Sequence, residues 1–203
     1  LKESLKNGVF MEKYIIEAVE NGIKAIEFLK SDTSLEFMNT FAEKIANCFA
    51  NGGKLIIAGN GGSMCDGMHF AEELTGFFRN KRKALPAISL SCPGHMSCTA
   101  NDQGFDYVFS RGVEAFGKEC DIFVALTTSG NSQNLVNAME AANEKKLFTV
   151  AFLGKTGGAI KSMADLEWIV EGKTSDRIQE AHMTAIHIII EMAEKHLYEK
   201  NHI

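Results

Sequence analysis

Leu55-Ile56-Ile57-Ala58-Gly59-Asn60-Gly61-Gly62-Ser63 is a short apolar run that stops on a glycine-rich turn. A run this short, bounded by turn residues, reads as a strand buried on both faces. The segment after it, Ser63 to Phe78, has the length of a helix. The pattern then recurs. Ala87 to Leu90, Ile122 to Leu126, Phe148 to Leu153 and Leu166 to Val170 are further strand-sized runs, with helix-length segments at Val108 to Phe116 and Ser132 to Glu144. Alternating strands and helices predict a parallel five-stranded sheet with helices on both faces, a three-layer α-β-α sandwich of the α/β class.

Upstream, residues 1–50 read as a helical pair. Phe10, Tyr14, Ile15, Ala18, Ile23, Ile26 and Leu29 fall near helical spacing, Ser31 to Ser34 is a polar break with capping residues, and Leu35, Met38, Phe41, Ala42, Ile45 and Phe49 continue a second stripe. Asn51-Gly52-Gly53 ends it. Downstream, Ser175 to Tyr198 reads as one long helix carrying Ile178, Ala181, Ala185, Ile186, Ile189, Ile190 and Met192. That stripe is wide enough to predict that part of it packs against another subunit. With no repeat, linker or low-complexity tract, residues 1–203 read as one domain, the 51–203 core preceded by the helical pair.

Composition narrows the functions. A chain that is 45% hydrophobic is too apolar for disorder as its main state, and no window approaches the ~18 apolar residues of a membrane span. A net charge of -5 argues against nucleic-acid binding by a general basic surface, while a pocket of backbone N–H groups still suits an anionic metabolite. The five cysteines, Cys48, Cys65, Cys92, Cys98 and Cys120, form no C-x-x-C pair. An odd, scattered set predicts a reduced, cytoplasmic protein without a disulfide framework. Leu1 to Phe10 shows no apolar signal-peptide core.

Ligands in open parallel sheets bind beyond the carboxyl ends of the strands. Gly59-Asn60-Gly61-Gly62-Ser63 lies there and lets backbone N–H groups approach a ligand. It matches neither the dinucleotide fingerprint, since Met64 stands at the third glycine position, nor a P-loop, and a ligand-free turn fits it as well. Thr127-Thr128-Ser129-Gly130-Asn131-Ser132 combines four hydroxyls with a helix N-terminus, which suits a phosphate dianion better than a simple Ser132 cap does. Gly154 to Gly158, with Lys155, reads as a turn.

His69 and Glu73 share a helical face at i, i+4. Imidazole and carboxylate suit zinc, and the amide of Gln179 is a weaker donor. Taken alone, the pair is better read as a surface or interhelical hydrogen bond, and His187 among isoleucines as a satisfied core histidine. Gln179 and His187 lie about 12 Å apart along a straight helix, so four ligands on one ion imply a contribution from a neighbouring subunit. Asn101-Asp102, in an expected loop, and Asp176-Arg177 read alone as caps or surface pairs.

Together these pieces resemble the phosphoheptose isomerases of the sugar isomerase (SIS) superfamily. The resemblance runs from about Glu12 to Lys195. It rests on Gly59 to Ser63, Met68-His69-Phe70-Ala71-Glu72-Glu73-Leu74-Thr75-Gly76, Asn101-Asp102, Phe109-Ser110-Arg111, Thr128-Ser129-Gly130-Asn131-Ser132 and Asp176-Arg177-Ile178-Gln179-Glu180. It implies a flavodoxin-like sandwich, a homotetramer with active sites between subunits, and interconversion of D-sedoheptulose 7-phosphate and D-glycero-D-manno-heptose 7-phosphate for surface glycans. It further implies a phosphate loop at Thr127, Thr128, Ser129 and Ser132. Sugar contacts would come from Asn60, Gly61, Gly62, Ser63, Asn101, Asp102, Asp176 and Gln179. Glu73 and His187 match the family's acid–base pair, and His69, Glu73, Gln179 and His187 its zinc ligands, one ion per subunit. Thr127 replaces a usual serine but keeps the hydroxyl, Met64 stands where some relatives have histidine, and Cys92-Pro93-Gly94 is an unfamiliar loop. Two readings compete with this one: an isomerase of another phosphosugar, and a non-catalytic SIS-fold regulator. The presence of both Glu73 and His187 favours an enzyme.

Overall fold

The computed structural model describes the backbone of residues 2–199 and the side chains of residues 11–199. Phe10, expected on the first apolar stripe, has its side chain outside the described residues. Helices α1 (Lys2–Glu27) and α2 (Asp32–Ala50) meet at a 3-10 turn, Phe28–Lys30. Ser31 caps α2 by accepting from the Ser34 N–H. Then come β1 (Leu55–Gly59), α3 (Gly62–Thr75), β2 (Ala87–Ser89), α4 (Pro93–Asp102), α5 (Ser110–Phe116), β3 (Ile122–Leu126), α6 (Gln133–Glu144), β4 (Phe148–Gly154), β5 (Leu166–Val170) and α7 (Ser175–Glu199).

The five strands pair in parallel in the order β2-β1-β3-β4-β5. Alternation along each strand feeds two cores. Leu55, Ile57, Val124, Leu126, Val150, Phe152 and Trp168 pack under α2, α3 and α7. Ile56, Ala58, Phe123, Ala125, Ala151 and Leu153 pack under α5 and α6. Both faces of β1, β3 and β4 are therefore dry, which is why these strands read as unbroken apolar runs rather than alternating ones, while the edge strand β2 is only half-covered, with Ile88 exposed. The chain reverses its direction of strand addition between β1 and β3. That switch point opens a crevice at their carboxyl ends, where the two loops singled out from the sequence meet.

Three expectations need correction. Asn101 and Asp102 do not lie in a loop but close α4, and Cys92-Pro93-Gly94 is the entry to that helix, with Pro93 at its first turn. The α7 stripe does not face outward. Ile178, Ala181, Ala185, Ile186, Ile189 and Ile190 are fully covered by this chain's own α2, α3 and sheet, because α7 is packed on several sides at once. The exposed apolar face belongs to α1, where Met11, Ile15, Val19, Ile23 and Ile26 are open.

Candidate active site

The switch-point crevice is built from backbone. Gly61, at φ +55, turns the chain from β1 into α3. Gly130, at φ +68, does the same after β3, and a Cβ there would lie 1.8 Å from the Gly157 carbonyl oxygen. Only glycine fits such a position. Asn60 and Asn134 exchange a reciprocal pair of amide hydrogen bonds, 2.9 and 3.0 Å, which locks the first loop to the start of α6. A cavity of about 430 Å³ lies between Asn60, Gly61, Phe105, Asp106, Ser132, Gln133 and Asn134.

The hydroxyls divide their work. Buried Thr127 accepts from the Gly130 N–H at 3.2 Å, and Ser129 accepts from the Asn131 N–H at 3.2 Å, so both shape the loop. Thr128 donates to the Ser175 hydroxyl at 3.0 Å, tying the loop to the start of α7. Ser132 precedes α6 without making a side-chain cap. The first N–H groups of α6 have no intrahelical acceptors, and with the uncommitted Ser132 hydroxyl they form the kind of helix N-terminus that suits an anion.

The second part of the site is built from side chains. His69 and Glu73 on α3 meet His187 on α7: His69 Nε2 lies 3.2 Å from Glu73 Oε1 and 3.1 Å from His187 Nε2. One ligand atom from each residue falls within 4.8 Å of the others. Phe78 stacks on the His187 ring at 5.8 Å. Burial pushes the His187 imidazole below its ordinary 6.5, the facing His69 and, more weakly, Arg79 push the same way, and Glu73 opposes them. A neutral imidazole keeps the lone pair that a metal needs. Two imidazole nitrogens and a carboxylate oxygen at this spacing match the His₂–carboxylate set of a catalytic zinc site with an open position.

Gln179 is placed elsewhere. Its amide covers Gly62 and donates to Ser63 Oγ at 3.4 Å, at the opposite end of α3 from Glu73. Gln179 and Asp176 line a separate cavity of about 520 Å³ with Asp66, Glu180, Met183, Thr184 and Ile26. Asn101 donates to Asp102 at 2.8 Å, and both are exposed at the end of α4, just before Phe105 and Asp106 of the Asn60 crevice, which they do not themselves line.

Sequence reasoning passed over Asn134 and Asp66. Burial raises the Asp66 carboxyl to about 6, against the pull of His69, and its Oδ2 has no partner among the described residues. Asn134 carried no spacing signal, since it meets Asn60 only through the fold, and Asp66, three residues before His69 on α3, forms no recognisable nucleophile–base set.

Residues 19–154 match the family model described as SIS domain. A phosphoheptose isomerase of Fusobacterium nucleatum is 51% identical over 177 residues, covering 87% of this chain and 91% of that protein. The chain belongs to the phosphoheptose isomerase family. A second member, from Vibrio cholerae, is 49% identical over 172 residues, 84% of this chain and 90% of its own length. The solved phosphoheptose isomerase of Francisella tularensis superposes with a TM-score of 0.86 at 30% identity, covering 91% of this chain and 98% of that one. That of Neisseria gonorrhoeae gives 0.80 at 33% identity, covering 94% and 99%. As a family member the chain is an isomerase, and among its described residues no helix is long and apolar enough to cross a membrane.

Proposed function

We propose that the chain interconverts D-sedoheptulose 7-phosphate and D-glycero-D-manno-heptose 7-phosphate through an enediol, in the cytoplasm, as a step toward heptose-containing surface glycans. The observation that carries this reading is the His69–Glu73–His187 cluster, in which His69, on the helix that leaves the glycine loop, lies 3.2 Å from Glu73 of the same helix and 3.1 Å from His187 of α7.

The 7-phosphate sits on Thr128, Ser129, Ser132 and the first N–H groups of α6, on a frame that Thr127 holds in shape. Asn60 to Ser63, Asn101, Asp102, Asp176 and Gln179 bind sugar hydroxyls. Glu73 takes the proton from the carbon beside the carbonyl and returns it to the neighbouring carbon, using the oxygen that does not face His69. His187 delivers a proton to the carbonyl oxygen and takes one from the hydroxyl of the neighbouring carbon, which becomes the new carbonyl. His69, Glu73 and His187 hold a zinc ion, whose chemistry when bound is to polarise the carbonyl. Gln179 reaches that ion only from a neighbouring copy. The open apolar face of α1 supports a homotetramer in which such a contribution is made.

Turnover of sedoheptulose 7-phosphate, measured before and after chelation and again after zinc is restored, tests the reading. Activity that falls with the chelator and returns with zinc is expected. Folded, zinc-loaded protein that leaves this substrate unchanged but isomerises another sugar phosphate overturns the heptose assignment.

A further inference from the structure

Arg82 stands in a run of polar and charged residues, Arg79 to Lys83, that reads as a solvated loop. Its side chain is nevertheless only 1% exposed. A buried guanidinium persists only when its donors are met, and here each direction of the fork has a named acceptor. Nη2 donates to the Glu73 carbonyl at 2.9 Å. Nη1 donates to the carbonyls of Leu74 and Gly76 at 2.9 Å and of Lys83 at 3.1 Å. Nε donates to Glu194 Oε1 at 2.6 Å, and Glu194 is itself buried on α7.

The acceptors on α3 are the open carbonyls of its last turn, where a cation is favoured by the helix dipole. That turn carries Glu73. Glu194 lies two turns beyond His187 on the same face of α7. One side chain thus joins the helix of the base to the helix of the acid. The polar contacts between α3 and α7 run in the same order along both: Ser63 with Gln179, His69 with His187, and the α3 C-terminus through Arg82 with Glu194. Apolar packing between the two helices tolerates small axial slips, whereas charged hydrogen bonds of 2.6 to 2.9 Å do not.

We infer that Arg82 and Glu194 form a positioning clip that sets the register of α3 against α7, and with it the separation of Glu73 and His187. Arg82 touches neither substrate nor metal. It acts through the Glu73 backbone. The inference rests on the acid–base and zinc-binding roles proposed for this cluster.

Arg82→Lys keeps the charge but not the fork. It is expected to lower kcat about a hundredfold, the cost of roughly 1 Å of misplacement, with KM changed less than about threefold. The zinc dissociation constant, read by chelator competition, is expected to rise ten- to a hundredfold, as for other groups that orient metal ligands. Glu194→Gln, which preserves length and one acceptor, is expected to move both readouts the same way but less. Asp121→Asn provides the control. It breaks the ion pair of buried Asp121 with half-buried Lys54, which lies at the amino ends of β1 and β3 and bonds to neither α7 nor Arg82, so it is expected to lower the melting temperature while kcat and zinc affinity stay near wild type.

Folded Arg82→Lys and Glu194→Gln proteins that retain both kcat and zinc affinity overturn the clip. So does an Asp121→Asn protein that loses both to the same degree, since destabilisation alone would then suffice. Should wild type bind zinc yet leave sedoheptulose 7-phosphate untouched, the isomerase reading falls, and the three zinc affinities still decide the clip. Wild type that does neither overturns both.

Discussion

The crevice at the end of β1 and β3 and the cluster between α3 and α7 serve one site but are built on different principles. The crevice is mostly main chain: two glycines at positive φ and the free N–H groups of α6, locked by one reciprocal side-chain pair, Asn60–Asn134. Its shape follows from strand ends that the sheet already fixes. The cluster is side chain. Its members lie 118 residues apart in sequence between His69 and His187, on two helices whose relative placement is a packing outcome. The proposed phosphate site is thereby anchored to strand ends that the sheet holds in register. The proposed proton-transfer groups, Glu73 on α3 and His187 on α7, depend instead on a helix–helix register.

That contrast predicts a kinetic division. Glu73→Gln removes the proton acceptor and leaves the crevice alone, so kcat is expected to drop by about a hundredfold to ten-thousandfold while KM stays within a small factor. Steady-state kinetics on sedoheptulose 7-phosphate check it. Near-wild-type turnover in this variant breaks the assignment of the cluster as the catalytic half.

The same contrast explains what the sequence made legible. Strands buried on both faces announce themselves as apolar runs, and Gly59 to Ser63 and Thr127 to Ser132 sit at their ends because the parallel topology leaves loops there. The cluster was half legible: i, i+4 spacing joins His69 to Glu73, but no periodicity points from α3 to His187, and only the family resemblance supplied it. Helix α4 was hidden because Pro-Gly-His and Asn-Asp are weak helix formers and only Thr99 is buried on it, so it carries no apolar stripe. The α7 stripe was seen but misassigned, since a stripe's width cannot say whether the covering surface belongs to the same chain. Arg82 carried no signal, because burial of a charge depends on acceptors that only the folded backbone aligns.

A second prediction concerns the seam where α7 lies on the sheet. His182 is fully buried between Phe152 and Trp168, with ring centroids 5.6 and 5.9 Å away, and its Nε2 donates to the Leu153 carbonyl at 3.0 Å. Burial lowers it from 6.5 to about 4, against a smaller opposite effect of that hydrogen bond. Below 6.5 the unfolded chain takes up a proton that the folded chain refuses until about 4. Stability from this residue is therefore present above 6.5 and lost as the pH falls toward 4, by about 3 kcal/mol in all. Denaturant melts of wild type and His182→Gln between pH 7 and 4 check it, the variant showing a shallower loss. If both lose stability in parallel, acid acts elsewhere. Any acid limb of activity then belongs to the cluster rather than to the docking of α7.

The smallest effect is expected at Ser132, and it is the sharpest test of the division. Its hydroxyl makes no cap for α6, so Ser132→Ala is expected to cost the free protein little stability. A hydrogen bond to a charged phosphate contributes about 1.5 kcal/mol or more, which corresponds to a rise in KM of about tenfold. Because the phosphate is bound alike in substrate and transition state, kcat is expected to stay near wild type. A Ser132→Ala enzyme whose kcat falls while KM holds would mean that remote phosphate binding is spent on aligning the sugar with Glu73 and His187. The two halves of the site would then be one device, coupled through the Thr128–Ser175 hydrogen bond that joins the phosphate loop to α7.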